Sequence, residues 1–192
     1  EMGSTFKLFT AAMALDSGTV SMSDGYDASK PIRVAKFTIR DFHAKNRWLS
    51  VPEIILHSSN IGAAKMAIDL GGAVQRSYLG KFGMLKPAQL EIPEVGIPLM
   101  PSVWRPINTM TISYGHGISV SPLQVITGVS ALVNGGVYRP PTLLKVHGEP
   151  NTGRQVVARE TSNKIRNLMR LVVSKGTGRK ANIQGYLIGG KT

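Results

Sequence analysis

Apolar positions recur at helical spacing in several separate stretches of the chain. Over residues 5–15, Phe6, Phe9 and Met13 repeat every three or four positions with alanines between them, and Gly18 follows as a stop. The spacing predicts a helix with Ser4 at its entrance. Residues 52–57 and 61–70 predict two more helices, the second closed by Gly71-Gly72, which leaves Ser58-Ser59-Asn60 in their connection. A fourth runs over 74–82 and ends at Gly83. Ser121 followed by Pro122 is an N-cap with proline at the first helical position, opening a helix to Val133 that Gly135-Gly136 closes. Thr161 caps a last helix, which carries Ile165, Leu168, Leu171 and Val172 on one face and ends near Gly176.

Strand signals are weaker. Residues 19–50 read mainly as loops, with turn signals at Asp24-Gly25 and Ser29-Lys30-Pro31 and one strand over 32–39. The stretch 86–106 carries Pro87, Pro93, Pro98, Pro101 and Pro106, too many for regular structure. Residues 137–146 alternate but include Pro140-Pro141, which suits an edge strand or extended arm. Residues 154–158 and 184–191 complete the predicted strands.

A chain of 192 residues with 42% hydrophobic content can bury one sizeable core. Its 23 basic against 11 acidic residues give a net charge of +12. The basic residues are scattered, and the densest cluster, 175–180, is interrupted by Gly176, Thr177 and Gly178, so the charge reads as a basic exterior with no nucleic-acid partner. A protein working on an anionic envelope polymer would also be basic. Cysteine is absent, which excludes disulfides and thiolate metal sites, and His43, His57, His116 and His147 lack metal-ligand spacing. We therefore expect no metal and no cofactor. No apolar run approaches a membrane span and no signal segment opens the chain. Because it begins directly on one candidate motif and stops within another, it reads as a piece of a longer protein with its targeting segment upstream.

Three short segments carry candidate chemistry: Ser4-Thr5-Phe6-Lys7, Ser58-Ser59-Asn60 and Lys191-Thr192. In this order they spell the S-x-x-K, S-x-N and K-T-(G) series of penicillin-interacting serine acyl-transferases. Ser and Lys three apart arise by chance roughly once in a chain this long, so the order and conjunction carry the weight. Acyl transfer needs a nucleophile, a base, a proton relay and oxyanion donors. Positions three apart share a helix face, so Lys7 can bring its amine to the Ser4 hydroxyl. Apolar neighbours would lower the pKa of that amine and suit it as a base, and the helix dipole would assist Ser4. Ser58 would pass a proton, and Asn60 would hold a substrate amide or Lys7. Lys191, on an edge strand, and the hydroxyl of Thr192 would receive a carboxylate. Taken singly, each is also what a capping serine, a solvated lysine, an Asn-containing turn or an ordinary strand end would show.

The segments Gly3 to Lys7 with Phe9-Thr10, His57 to Met66, Ser113 to Gln124 and Ala131 to Val137 closely resemble class B penicillin-binding proteins, specifically the cell-division (FtsI-type) peptidoglycan transpeptidases. The likeness runs nearly end to end. It implies an α+β fold of the penicillin-binding protein and serine β-lactamase type, here a helix-rich piece over residues 1–192, truncated at both ends and lacking most of the central antiparallel sheet. By the same resemblance Ser4 is the acylated serine, Lys7 its base, Ser58 and Asn60 the second motif, and Lys191 and Thr192 the start of the third. The implied substrates are peptidoglycan stem peptides ending in D-Ala-D-Ala, with β-lactam antibiotics as mimics. Division-complex membrane proteins are the implied partners, at the periplasmic face of the bacterial inner membrane. Met2 stands where the family usually has proline. The residues after Lys-Thr, one of which supplies an oxyanion amide, lie outside the chain, so an incomplete site is expected and activity of the piece alone is left open.

Other function classes find less support in the residues. Residues 185–192 formally match G-x-x-x-x-G-K-[ST], but Tyr186-Leu187-Ile188 favour a strand over a phosphate loop, and no helix can follow. The chain has no G-x-S-x-G elbow. Within the penicillin-recognising group, a β-lactam sensor or β-lactamase-like hydrolase would share the three motifs; a hydrolase needs a base for deacylation, with Glu53, Glu91 and Glu94 available. A non-catalytic division scaffold is the remaining class.

Overall fold

The structure, a computed structural model, describes residues 1–148 and 153–192. At its centre is α1 (Lys7–Asp16), in which Lys7 to Leu15 are all buried. A helix with apolar residues on nearly every side belongs in the core. Its alanines let neighbours approach, while Phe6 and Phe9 pack at 5.4 Å and Phe9 meets Phe82 edge-on at 5.3 Å. Each such fully buried side chain contributes roughly 1.5–3 kcal/mol. A 3₁₀ turn, Gly3–Phe6, leads into α1 and carries Ser4.

Around α1 stand α2 (Val51–Leu56), α3 (Asn60–Leu70), α4 (Gly72–Lys81), α5 (Pro106–Ile112), α6 (Pro122–Val133) and α7 (Arg159–Lys175). Helix α3 packs on α1 and α5, and α7 packs on α1, α2 and α6. The predicted helices are present to within two or three residues. Ser121 caps α6 by accepting from the Gln124 amide at 3.2 Å, with the Gln124 side chain returned to the Ser121 amide. Gly128 of α6 faces α1, where a Cβ would stand 2.9 Å from the Phe9 ring. A short helix not expected from the sequence, α5, begins at the last proline of the proline-rich stretch; Pro106 is tolerated there because it occupies the first helical turn.

Sheet structure is slight. β1 (Gly25–Asp27) pairs antiparallel with β4 (Trp48–Ser50), where only loops were expected. The predicted single strand 32–39 is instead a hairpin, β2 (Ile32–Val34) with β3 (Phe37–Ile39), turned at Ala35 with φ 50°. Of residues 137–146, expected as an edge strand or extended arm, only β5 (Val137–Tyr138) is strand; it pairs with β6 (Arg154–Gln155), the first two residues of the strand expected over 154–158. Residues 149–152 lie outside the described ones. Residues 184–191, expected as a strand, run as an irregular tail along α7, with Gly190 N donating to Met169 O at 3.1 Å and the Arg170 guanidinium donating to Ile188 O at 3.0 Å. No described strand flanks the tail, and a lone segment cannot form a ladder.

Helices α1 and α7 are joined through one carboxylate. Asp16, the last residue of α1, accepts from Ala158 N (2.6 Å) and Thr161 Oγ1 (2.9 Å) at the start of α7, and from the Tyr78 hydroxyl (2.7 Å) of α4. It thereby serves α7 as an N-terminal cap supplied from another helix, since Ala158 has no side-chain oxygen of its own. Thr161 is thus not the cap the sequence suggested. Asp16→Ala should cost about 2–3 kcal/mol and lower the thermal midpoint by about 5–10 °C, as measured by circular dichroism. A wild-type midpoint would show that the cap is dispensable.

Candidate active site

Ser4 and Lys7 are three apart across the junction of the 3₁₀ turn and α1, a geometry in which side chains three apart nearly eclipse. The entering turn is tight. Gly3 adopts φ 53°, and its amide donates to Gly115 O at 3.3 Å. Gly115 has φ 84°, and a Cβ on it would come within 2.2 Å of Gly3 O, so only glycine fits. The loop after α5 is also fixed from inside, because buried Thr10 donates to Ser113 O at 2.8 Å.

Lys7 is 1% exposed. Its Nζ donates to Ser4 Oγ (2.9 Å), Ser58 O (2.8 Å) and Ser58 Oγ (3.0 Å), which uses all three hydrogens of the charged amine. Ser58 lies in the α2–α3 connection with φ 58°, a left-handed conformation that turns both its carbonyl and hydroxyl to Lys7. Ser59 then caps α3, accepting from Gly62 N at 2.9 Å. From the tail, Lys191 Nζ donates to the same Ser58 Oγ at 2.9 Å and also to Thr192 O. Ser58 therefore bridges two amines. Ser4, Lys7, Ser58 and Lys191, far apart in the chain, form one hydrogen-bonded line.

The other two predicted residues sit at its edge. Asn60 is the first residue of α3 rather than part of the loop, and its Nδ2 donates to Arg40 O at 2.9 Å. The Thr192 hydroxyl pairs with that of Thr177. Lys191 approaches from an irregular tail, not from the edge strand expected.

Burial pushes the Lys7 amine down to about 7, with the charge of Lys191 adding to the fall and Asp41 opposing it. Lys191 is lowered to about 8, by burial. An amine with this value is substantially neutral near neutral pH, and its free lone pair can take a proton from the hydroxyl beside it. Two of the three carboxylates considered for a hydrolytic base are engaged elsewhere: Glu53 pairs with Arg47 at 2.7 Å, and Glu91 accepts from Leu143 N at 3.0 Å. No group of three or more metal-ligating side chains occurs among the described residues. A cavity of about 910 Å³ lies away from Ser4, lined by Ile68, Arg76, Leu85 and Trp104. It holds no comparable serine–lysine pair, so volume alone does not locate the chemistry.

The sequence reading gave no role to Asp41, Thr10 or Gly115. Asp41 and Gly115 are loop positions, which carry no periodicity to flag them, and Thr10 is a helix position among apolar ones; Thr10 and Gly115 nevertheless lie inside segments that carry the family resemblance.

A model of the penicillin binding protein transpeptidase domain matches residues 1–192. This chain belongs to that family. It is 40% identical to the probable peptidoglycan D,D-transpeptidase FtsI of Caulobacter vibrioides over 196 residues, covering all of this chain and 33% of the relative. Peptidoglycan D,D-transpeptidase FtsI of Escherichia coli is 30% identical, again over the whole chain and 33% of the relative. The chain thus spans about a third of the length of the curated relatives it matches. A crystal structure described as a peptidoglycan glycosyltransferase from Burkholderia ambifaria superposes with a TM-score of 0.92 at 31% identity, covering all of this chain and 62% of that one. The transpeptidase domain of Burkholderia pseudomallei penicillin-binding protein 3 gives the same TM-score and identity, over 59% of its chain. The fold is accordingly that of a class B transpeptidase domain, helix-rich with short sheets.

A lowered lysine makes the domain's stability pH-dependent with a definite sign. Between about 7 and the ordinary lysine value of 10.5, the unfolded chain holds a proton that folded Lys7 does not, so stability rises with pH across that window; below it the burial penalty is felt in full. Urea unfolding of the wild type and of Lys7→Met should show the difference, wild type minus variant, moving in favour of the wild type from pH 7 to pH 10. A difference independent of pH would place the Lys7 value near that of free lysine.

Proposed function

We propose that this chain carries the serine acyl-transfer centre of a peptidoglycan D,D-transpeptidase, with Ser4 as nucleophile and Lys7 as its base. The observation that carries the reading is the buried Lys7 amine, lowered to about 7 and bonded at once to Ser4 Oγ and Ser58 Oγ. Neutral Lys7 takes the Ser4 proton as Oγ attacks the carbonyl of the penultimate D-Ala of a stem peptide. Ser58, touching both amines, relays that proton to the nitrogen of the departing D-Ala, and the acyl group remains on Ser4 as an ester. An amine from a second stem peptide then attacks the ester, and its proton returns along the same line, freeing Ser4.

Lys191 supplies positive charge for the terminal carboxylate of the donor peptide, with the Thr192 hydroxyl beside it. Asn60, at the rim, is assigned to the peptide amide. A β-lactam would enter as a mimic of the D-Ala-D-Ala end and remain on Ser4. A septal role, division-complex membrane partners and a periplasmic location belong to the same reading, supported by the likeness to FtsI relatives. No helix among the described residues is long and apolar enough to cross a membrane. Of the three carboxylates available as a deacylation base, Glu53 and Glu91 are bonded elsewhere.

Intact-mass analysis after exposure to benzylpenicillin tests the assignment, on this chain and on the full-length protein, each with a Ser4→Ala control. A single adduct lost in the control is expected in the full-length protein, with an acylation rate that rises with pH through about 7 as Lys7 loses its proton. Absence of an adduct from both forms would remove the catalytic reading and leave a scaffold.

A further inference from the structure

Beyond the three motifs, one half-buried carboxylate is aimed at the same place. Asp41 follows β3 on the arm between β2 and β4, and both its oxygens are used on the start of α3: Oδ2 accepts from Ser59 Oγ at 2.8 Å and Oδ1 from Ile61 N at 2.9 Å. The preceding carbonyl, Arg40 O, accepts from Asn60 Nδ2. Three successive residues of the second motif region are thus gripped by two successive residues of the arm. Immediately before them stands Ser58, whose left-handed backbone has no glycine to ease it and is maintained by its surroundings. The Asp41 charge also acts on the Lys7 amine, with sign opposite to that of Lys191.

We propose that Asp41 is a positioning residue for the reaction assigned to Ser4: it holds the Ser58 turn against Lys7, and its negative charge offsets the repulsion between Lys191 and Lys7. The inference rests on the acyl-transfer reading above. Other ionisable groups on the elements around Lys7 are turned elsewhere. Glu53 of α2 is paired with Arg47, Lys65 of α3 donates to Asp27 O, and Glu1 accepts from Gly117 N and faces His116. His57, just after α2, feels Lys45, Glu53 and Arg47. Asp41 and Lys191 are left as the opposed charges acting on the buried amine.

Two substitutions in the full-length protein separate the two effects. Asp41→Asn keeps an acceptor for Ile61 N and removes the charge, so the rise of benzylpenicillin acylation with pH should move to lower pH while the plateau rate changes little. Asp41→Ala also removes the grip, so the plateau should fall about 10- to 100-fold, the scale on which a small misplacement of a reacting group acts. A purely structural role would lower the thermal midpoint of both variants and leave the pH profile in place. An unmoved profile in Asp41→Asn overturns the electrostatic part, and a wild-type plateau in Asp41→Ala overturns the positioning part. Should the wild type itself not be acylated, the acyl-transfer reading fails and this role falls with it.

Discussion

Everything at the site depends on an amine being kept out of water. Removing an ammonium from solvent costs several kcal/mol even after relaxation, and a protein can tolerate it only by satisfying the hydrogens and letting the group lose its charge easily. Lys7 meets both conditions: three oxygens receive its hydrogens, and its value falls to about 7. The arrangement is therefore demanding for its neighbours. α1 must be largely apolar to bury the amine, the α2–α3 connection must accept a left-handed serine, and two glycines must let the entering turn lie against the loop after α5. The left-handed positions Gly3, Ser58 and Gly115 cluster on this one group, and of these only Ser58 carries backbone strain.

A second consequence concerns Ser58. Its hydroxyl stands between two lysines, each with a lowered value, so a proton moving from one side of the site to the other has a single polar stepping-stone. Two ammonium ions sharing one acceptor repel, and having one of them neutral relieves that repulsion. The same closeness that disfavours the doubly charged state keeps one amine ready to accept a proton and the other ready to attract an anion.

Helices were the legible part of the sequence because their signals are local. Ser121-Pro122 with Gln124 fixes one helix start within four residues, and the Phe6, Phe9, Met13 repeat fixes the face and the core together. What the sequence concealed depends on distant partners. β1 and β4 exist because residues 25–27 meet residues 48–50, and nothing within either segment announces the other. The hairpin over 32–39 was hidden because Ala35 and Lys36 are not the Asn-Gly or Gly-containing pairs that usually mark such a turn. Helix α5 was masked by the prolines before it. At the site, Ser4, Lys7, Ser58 and Lys191 were recognisable from spacing and order, and the structure joins them. The orientation of Asn60 toward the arm, the irregular approach of Lys191 and the grip of Asp41 are tertiary facts with no counterpart in spacing.

The carboxylate shared by α1 and α7 bears on how the chain reaches this state. Asp16 and Ala158 are 142 positions apart. A contact of that separation is entropically expensive to close, and folds rich in such contacts form slowly. The helix that carries the lysine therefore gains its final anchor only when the last long helix has been made and docked. During synthesis Ser4 and Lys7 precede α7 by about 150 residues, so their helix is made well before its closing contact. A chain stopped before residue 158 would carry the first two motifs intact in sequence yet lack the closure that holds their helix in place.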